Sequence, residues 1–139
     1  MADMFTKEKR SWVMAQVKSG DTGPEIRVRS MLHGLGFRFR LHRKDLPGKP
    51  DIVFPGRRKV VFVHGCFWHG HKGCRRSTRP SSNQGFWTMR LDSNIRRDKR
   101  DRQRLRRLGW RVFVVWECEL KDEQRLRRRL RQFLEGSAD

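Results

Sequence analysis

At 139 residues the chain has the size of one domain with room for a modest core. Lys and Arg outnumber Asp and Glu by 34 to 15, and the formal charge of +19 points first to nucleic acid, where phosphate neutralisation releases counterions. The complete lack of tyrosine excludes tyrosine-nucleophile strand transfer, and the absence of a GxxxxGK[ST] loop argues against nucleotide hydrolysis.

In chain order, residues 1–20 are polar with isolated Trp12, Met14 and Val17, and read as an arm or short helix that orders on its partner. The charged start has no apolar leader, so an intracellular protein is expected, and no stretch approaches the length of a membrane-spanning helix. Thr22-Gly23-Pro24-Glu25 is a capping box with proline in the first turn, followed by Ile26, Val28, Met31, Leu32 and Leu35 on an imperfect apolar stripe that Gly34 and Gly36 end. Phe37, Phe39 and Leu41 alternate with Arg38, Arg40 and His42, the pattern of a half-buried strand. Leu46 to Pro50 is a turn, Asp51 to Phe54 a second strand, Pro55-Gly56 a hairpin turn, and Lys59 to His64 a third strand.

Arg75 to Gly85 is basic and contains Ser and Pro, so it reads as a loop. A long helix is predicted over Phe86 to Leu108, with Trp87, Leu91, Ile95, Leu105 and Leu108 on one stripe and Gly109 as its stop. Within it, Arg96 to Arg107 carries eight basic residues in twelve, read as a solvated, phosphate-facing surface. Trp110 to Trp116 is a buried-type strand, and Asp122 to Phe133 a last amphipathic helix. The order α-β-β-β-α-β-α predicts an α/β fold with a mixed sheet flanked by helices.

Between the third strand and the basic loop, His64-Gly65-Cys66-Phe67-Trp68-His69-Gly70-His71-Lys72-Gly73-Cys74 packs three imidazoles, two thiols and two adjacent aromatics into eleven residues. Cys66, His71 and Cys74 are zinc-type ligands, and Cys118 lies just after the strand ending at Trp116. If that strand runs beside the third one, its thiol reaches the same end and closes a tetrahedral Cys3His structural zinc site. The plain alternative is three unpaired thiols with incidental histidines. An odd cysteine count argues against a disulfide framework.

Pro50-Asp51 opens one strand, and Val63-His64-Gly65 closes the next. That is the skeleton of the PD-(D/E)xK nucleases, here without the second carboxylate and the lysine. Phe67 and Trp68, adjacent in a glycine-flanked loop, cannot both face inward, and stacking on bases suits exposed rings. Trp87 is read either as a third stacking ring or as core on its helix. Arg90 and Asn94, four residues apart, share a helix face beside it.

Taken together, Arg10-Ser11 and Met14, Asp21-Thr22 and Glu25, Leu46 to Asp51, His64 to His69, Phe86-Trp87, Asn94 and Leu108 to Cys118 resemble the very-short-patch mismatch repair endonucleases, the Vsr family. The matches are collinear, and HGCFWH is a specific string. The resemblance implies a PD-(D/E)xK restriction-endonuclease-like core over residues 21–139 with a DNA-binding arm over 1–20. It implies Mg²⁺ held by Asp51 and by the main-chain carbonyl of Val63, where the family commonly has threonine. It also implies His69 as the base or water-orienting group, with His64 and Glu25 in the same cluster.

Phe67, Trp68 and Trp87 would wedge into the duplex from the major groove and Met14 from the minor groove, with Arg90 and Asn94 at positions that read the site. The expected reaction is nicking of duplex DNA 5′ of the thymine in a T·G mismatch, such as arises when 5-methylcytosine deaminates. The enzyme would act as a monomer in a prokaryotic cytoplasm, at the nucleoid, beside a DNA cytosine methyltransferase and downstream repair proteins. Two rival expectations are a Vsr-like nuclease of relaxed specificity and a non-catalytic DNA-binding module whose zinc loop only reads DNA. An acid and a base beside a stacking ring favour the enzyme.

Overall fold

The computed structural model describes residues 23–74 and 83–136, so the arm with Met14 and most of the basic loop lie outside the described residues. The elements are α1 (Gly23–Gly34), β1 (Arg40–Leu41), β2 (Ile52–Phe54), β3 (Lys59–His64), α2 (Gln84–Arg107), β4 (Arg111–Trp116) and α3 (Glu123–Glu135). Their sheet order is β1-β2-β3-β4. β1 and β2 pair antiparallel, as do β2 and β3, whereas β3 and β4 run parallel from Lys59↔Arg111 to His64↔Trp116. The helical crossover through α2 makes that parallel pair, and the mixed sheet predicted from the element order is the one found.

Alternation along the strands assigns two faces. Ile52, Phe54, Val61 and Val115 pack with Val28, Met31 and Leu32 of α1 and with Leu126, Leu130 and Leu134 of α3. Val53, Val60 and Phe62 point the other way and pack with Leu105 of α2 and with Trp110. Burial on both faces explains why β3 reads as an unbroken apolar run instead of alternating with polar residues.

Several boundaries differ from the sequence reading. The strand expected over Phe37 to Leu41 narrows to Arg40–Leu41. It pairs with only two residues of β2, and Phe37 and Phe39 still reach the core as edge-to-face partners of Phe54. The Pro55-Gly56 turn is a single 3₁₀ turn, Pro55–Arg57. α2 starts at Gln84, two residues earlier than its apolar stripe suggested.

A buried lysine ties the sheet to the last helix. Lys59 is 3% exposed, and its Nζ donates to the carbonyls of Phe133 (2.6 Å), Leu134 (3.0 Å) and Gly136 (2.8 Å). The end of α3 leaves carbonyls without intrahelical partners and carries partial negative charge, which an ammonium group complements.

Candidate active site and metal centre

The carboxyl end of β3 meets four other pieces of chain there. The Val63 amide donates to Asp51 Oδ2 at 2.8 Å, which fixes Asp51 just ahead of β2 beside β3. His42, immediately after β1, donates its backbone N–H to the Asp51 carbonyl (3.1 Å) and places Nε2 2.7 Å from Glu25 Oε2. Arg29, one turn further along α1, bonds the same carboxylate oxygen. Glu25 is 2% exposed. A carboxylate buried that deeply needs such partners, so Glu25 belongs to a site as well as to the start of a helix.

Glu25, His42 and Asp51 present ligand atoms within 4.8 Å of one another. Burial, and then the neighbouring Glu25 carboxylate, push the Asp51 carboxyl up to about 7 against the opposing hydrogen bond from Val63. Two carboxylates crowded in this way are relieved by a divalent cation, so the residues fit one.

The next residue of β3 opens a second cluster. His64 is 4% exposed and stacks on His69, with ring centroids 3.8 Å apart and planes 4° from parallel. Burial, and then His69 beside it, lower His64 to about 3, so its ring is neutral. His69 Nδ1 lies 2.6 Å from Asp98 Oδ2 on α2. Burial alone would raise Asp98, but the His69 hydrogen bond and nearby positive groups hold it below its ordinary value, so it is ionised. With Nδ1–H donated to Asp98, His69 Nε2 is left as the basic nitrogen.

Asp98 was missed in the sequence. The available signal was a carboxylate on the apolar stripe of α2, eleven residues after Trp87 and seven before Leu105. An acid on a buried stripe requires a partner.

Cys66, His71, Cys74 and Cys118 form a third cluster, again with all ligand atoms within 4.8 Å of one another. The parallel register brings Trp116 beside His64, and Cys118 two residues on lies with its Sγ 3.4 Å from His71 Nδ1. The His71 ring stacks on Trp116 at 4.2 Å. Burial pushes the Cys66 thiol up to about 12 and raises Cys118 as well. Packed thiols that resist ionisation alone are the donors a zinc ion deprotonates and joins, so the set fits a closed tetrahedral site.

Tight turns wind the loop between these clusters: the His69 amide donates to Gly65, Gly70 to Phe67, and His71 to Cys66. Gly70 sits at φ +60°, where an added Cβ would come 2.4 Å from Ile95 Cδ1. Only glycine lets the loop press that closely on α2.

Phe67, Trp68 and Trp87 form one aromatic group, with centroids 5.1–5.9 Å apart. Trp87 is 6% exposed and sits beneath the other two, so its core reading describes it better than a free stacking ring. Asn94 Nδ2 donates to the Trp68 carbonyl at 3.0 Å, and its Oδ1 accepts from Arg97, so its amide holds the aromatic loop on α2. Arg90 and Asn94 line an open groove of about 970 Å³ with Trp68, His69 and Asp98. Phe86 and Met89 also face this groove and are 54% and 75% exposed.

Comparison with known proteins places the chain in a family. Residues 2–76 match the model of the family described as DNA mismatch endonuclease Vsr. The chain is 55% identical over 137 residues to "Type II nicking enzyme V.XorIIP" of Xanthomonas oryzae pv. oryzae, covering 99% of this chain and 100% of that protein. It is 44% identical over 126 residues to "DNA mismatch endonuclease Vsr" of Escherichia coli (strain K12), covering 91% of this chain and 80% of that one. Among solved structures, "Homing Endonuclease I-Bth0305I Catalytic Domain" superposes with a TM-score of 0.57 at 21% identity, over 81% of this chain and 94% of that chain. That likeness is one of fold. No helix among the described residues is long and apolar enough to cross a membrane. A mixed sheet that gathers acids, histidines and a zinc-type cluster at one strand end, together with these sequence matches, makes this chain a DNA endonuclease of the Vsr mismatch endonuclease family.

Proposed function

We propose that the protein nicks one strand of duplex DNA 5′ of the thymine in a T·G mismatch, leaving 5′-phosphate and 3′-hydroxyl ends. The observation that carries this reading is the junction at Val63-His64, where one residue binds the Asp51 carboxylate and the next stacks on the Asp98-bound His69. An acid site for a cation and an oriented base therefore flank a single point on the protein surface.

Asp51 and the Val63 carbonyl would hold Mg²⁺, which when bound supplies Lewis-acid stabilisation of charge on the phosphate. His69 Nε2 accepts a proton from the attacking water as its oxygen bonds to phosphorus. The P–O3′ bond breaks, and the departing oxygen takes a proton from solvent. Asp98 keeps the imidazole in the right tautomer and stabilises the imidazolium that forms. Buried and neutral, His64 supplies a flat packing surface that fixes the His69 ring. Glu25 stands beside Asp51 and orders the same site.

Zinc at Cys66, His71, Cys74 and Cys118 is structural in this reading and joins the His69 loop to the chain just after β4. Phe67 and Trp68 act as the wedge at the mismatch, braced from below by Trp87. Asn94 positions that wedge, Arg90 faces the DNA groove, and Met14 on the arm over residues 1–20 contacts the opposite groove. The enzyme works as a cytoplasmic monomer at the nucleoid, alongside a DNA cytosine methyltransferase and the repair proteins that act on the nick.

Nicking assays on duplexes that differ only in carrying T·G or T·A at one position test the proposal. Cleavage confined to the mismatched thymine strand is expected. Equal cleavage of the paired duplex would favour the relaxed-specificity reading, and no cleavage of either with Mg²⁺ present would favour a binding module.

A further inference from the structure

His42 is the residue of this site whose part nothing above assigns. Its backbone is left-handed, with φ +48°, a region that histidine enters more readily than most residues other than glycine. This turn of the backbone sets the imidazole across from Asp51 and against Glu25, with the side chain about one-third exposed. His42 Nε2 and Arg29 share the same Glu25 carboxylate oxygen.

The charge balance of the cluster points further. Glu25 and Asp51 contribute two negative charges, and Arg29 returns one positive charge to the same carboxylate. The two carboxylates supply the oxygen donors that Mg²⁺ takes, and one or two such groups with waters suffice for it. A neutral imidazole nitrogen adds a donor without adding charge, and it suits first-row transition cations much better than Mg²⁺.

We propose that His42 is a nitrogen ligand of the active-site cation, so that Glu25, His42 and Asp51 form a mixed nitrogen–oxygen site that binds first-row transition cations more tightly than Mg²⁺. This rests on the reading of Asp51 as the carboxylate that holds the cation.

The test uses Mn²⁺ with the full-length, zinc-loaded protein in the absence of DNA. Electron paramagnetic resonance should count one tightly bound Mn²⁺ that displaces Mg²⁺ and is lost in Asp51→Asn. Electron spin-echo modulation should show nitrogen coupling to that Mn²⁺, and the pattern should change when histidine is labelled with ¹⁵N. His42→Asn keeps a residue that tolerates the left-handed backbone, so its melting temperature should hold or rise. The same variant should lose the nitrogen coupling and at least about tenfold in Mn²⁺ affinity, with Mg²⁺ affinity little changed.

Mn²⁺ that depends on Asp51 but shows no histidine nitrogen coupling overturns the assignment of His42 and leaves that of Asp51 standing. So does coupling that survives in His42→Asn, or an equal loss of Mn²⁺ and Mg²⁺ affinity, which would make His42 a support for Glu25. Mn²⁺ binding that is absent, or indifferent to Asp51→Asn, overturns both assignments.

Discussion

His69 Nδ1 and Asp98 Oδ2 lie 2.6 Å apart, joining the loop after β3 to the middle of α2 through one charge-assisted hydrogen bond. The carboxylate comes from a part of the chain twenty-nine residues away. It sets which nitrogen of His69 is basic and holds the ring parallel to His64. In the proposed mechanism, the role of His69 therefore depends on how the loop docks on the helix.

His69→Ala should slow nicking by at least about 10²-fold, the usual scale of a general-base contribution. Asp98→Asn keeps the shape but no longer favours a proton on Nδ1. It should lower the single-turnover rate by at least about tenfold, within the span of that contribution, and leave the affinity for mismatched DNA close to wild type. A rate in Asp98→Asn equal to wild type would remove Asp98 from the mechanism.

Asp51 sets up a trade between stability and function. Its carboxyl rises from the ordinary 3.8 to about 7 on folding, so the cation-free native state binds an extra proton between those values. Stability from this group is therefore fully present below about pH 4 and is lost as pH rises through about 7. Asp51→Asn should abolish nicking yet melt higher than wild type at pH 8 in the absence of divalent cations. The difference should shrink toward pH 4, and thermal melts across that range check it. A variant that melts lower at pH 8 would contradict the burial argument.

The zinc cluster should behave as part of the fold. Elemental analysis should find one zinc per chain, and Cys118→Ser should lower the melting temperature, because ligation free energy becomes folding free energy when the site does not exist in the unfolded chain. Residual nicking by the folded fraction should stay near wild type per molecule. Metal-free protein with an unchanged melting temperature would refute the structural role.

Affinity and mismatch preference should separate. The charge of +19 makes binding to any duplex fall steeply with salt, with a log–log slope of roughly −0.9 per phosphate contacted. Replacing Phe67 and Trp68 by alanine should erase the preference for T·G over paired DNA and leave that slope nearly intact, since in the proposed mechanism these rings contact bases and not phosphates. Trp87→Ala should weaken the same preference through the packing of the two rings, and should also cost stability because Trp87 is buried. Preference that survives the double substitution would move recognition to Arg90 and its neighbours in the groove.

Much of this architecture is legible in one sequence. Apolar runs bounded by proline and glycine locate β2, β3 and β4, and helical periodicity locates α1, α2 and α3, because burial imposes period and length locally. Cys66, His71 and Cys74 are close in the chain, so their spacing alone suggests a metal. HGCFWH identifies the family for the same reason, since its chemistry is written in consecutive residues. The short β1 is less legible, because the alternation of Phe37, Phe39 and Leu41 marks burial on one side and not where pairing with β2 stops.

Tertiary structure alone decided what depends on distance across the chain. The parallel register of β3 and β4 delivers Cys118 to the cluster of Cys66, His71 and Cys74, which the sequence could only make conditional. Asp98, His42 and Arg29 carry no motif of their own. A carboxylate on a basic helix, a histidine at the end of an alternating strand and one arginine among many all look like ordinary surface residues. Packing buried Glu25 and pressed the His69 loop onto α2, and buried polar groups must then find partners wherever the fold places them. Trp87 shows the converse: its ring could have faced DNA, but α2 turns it inward under Phe67 and Trp68, because helix phase is fixed by the whole apolar stripe rather than by any one residue.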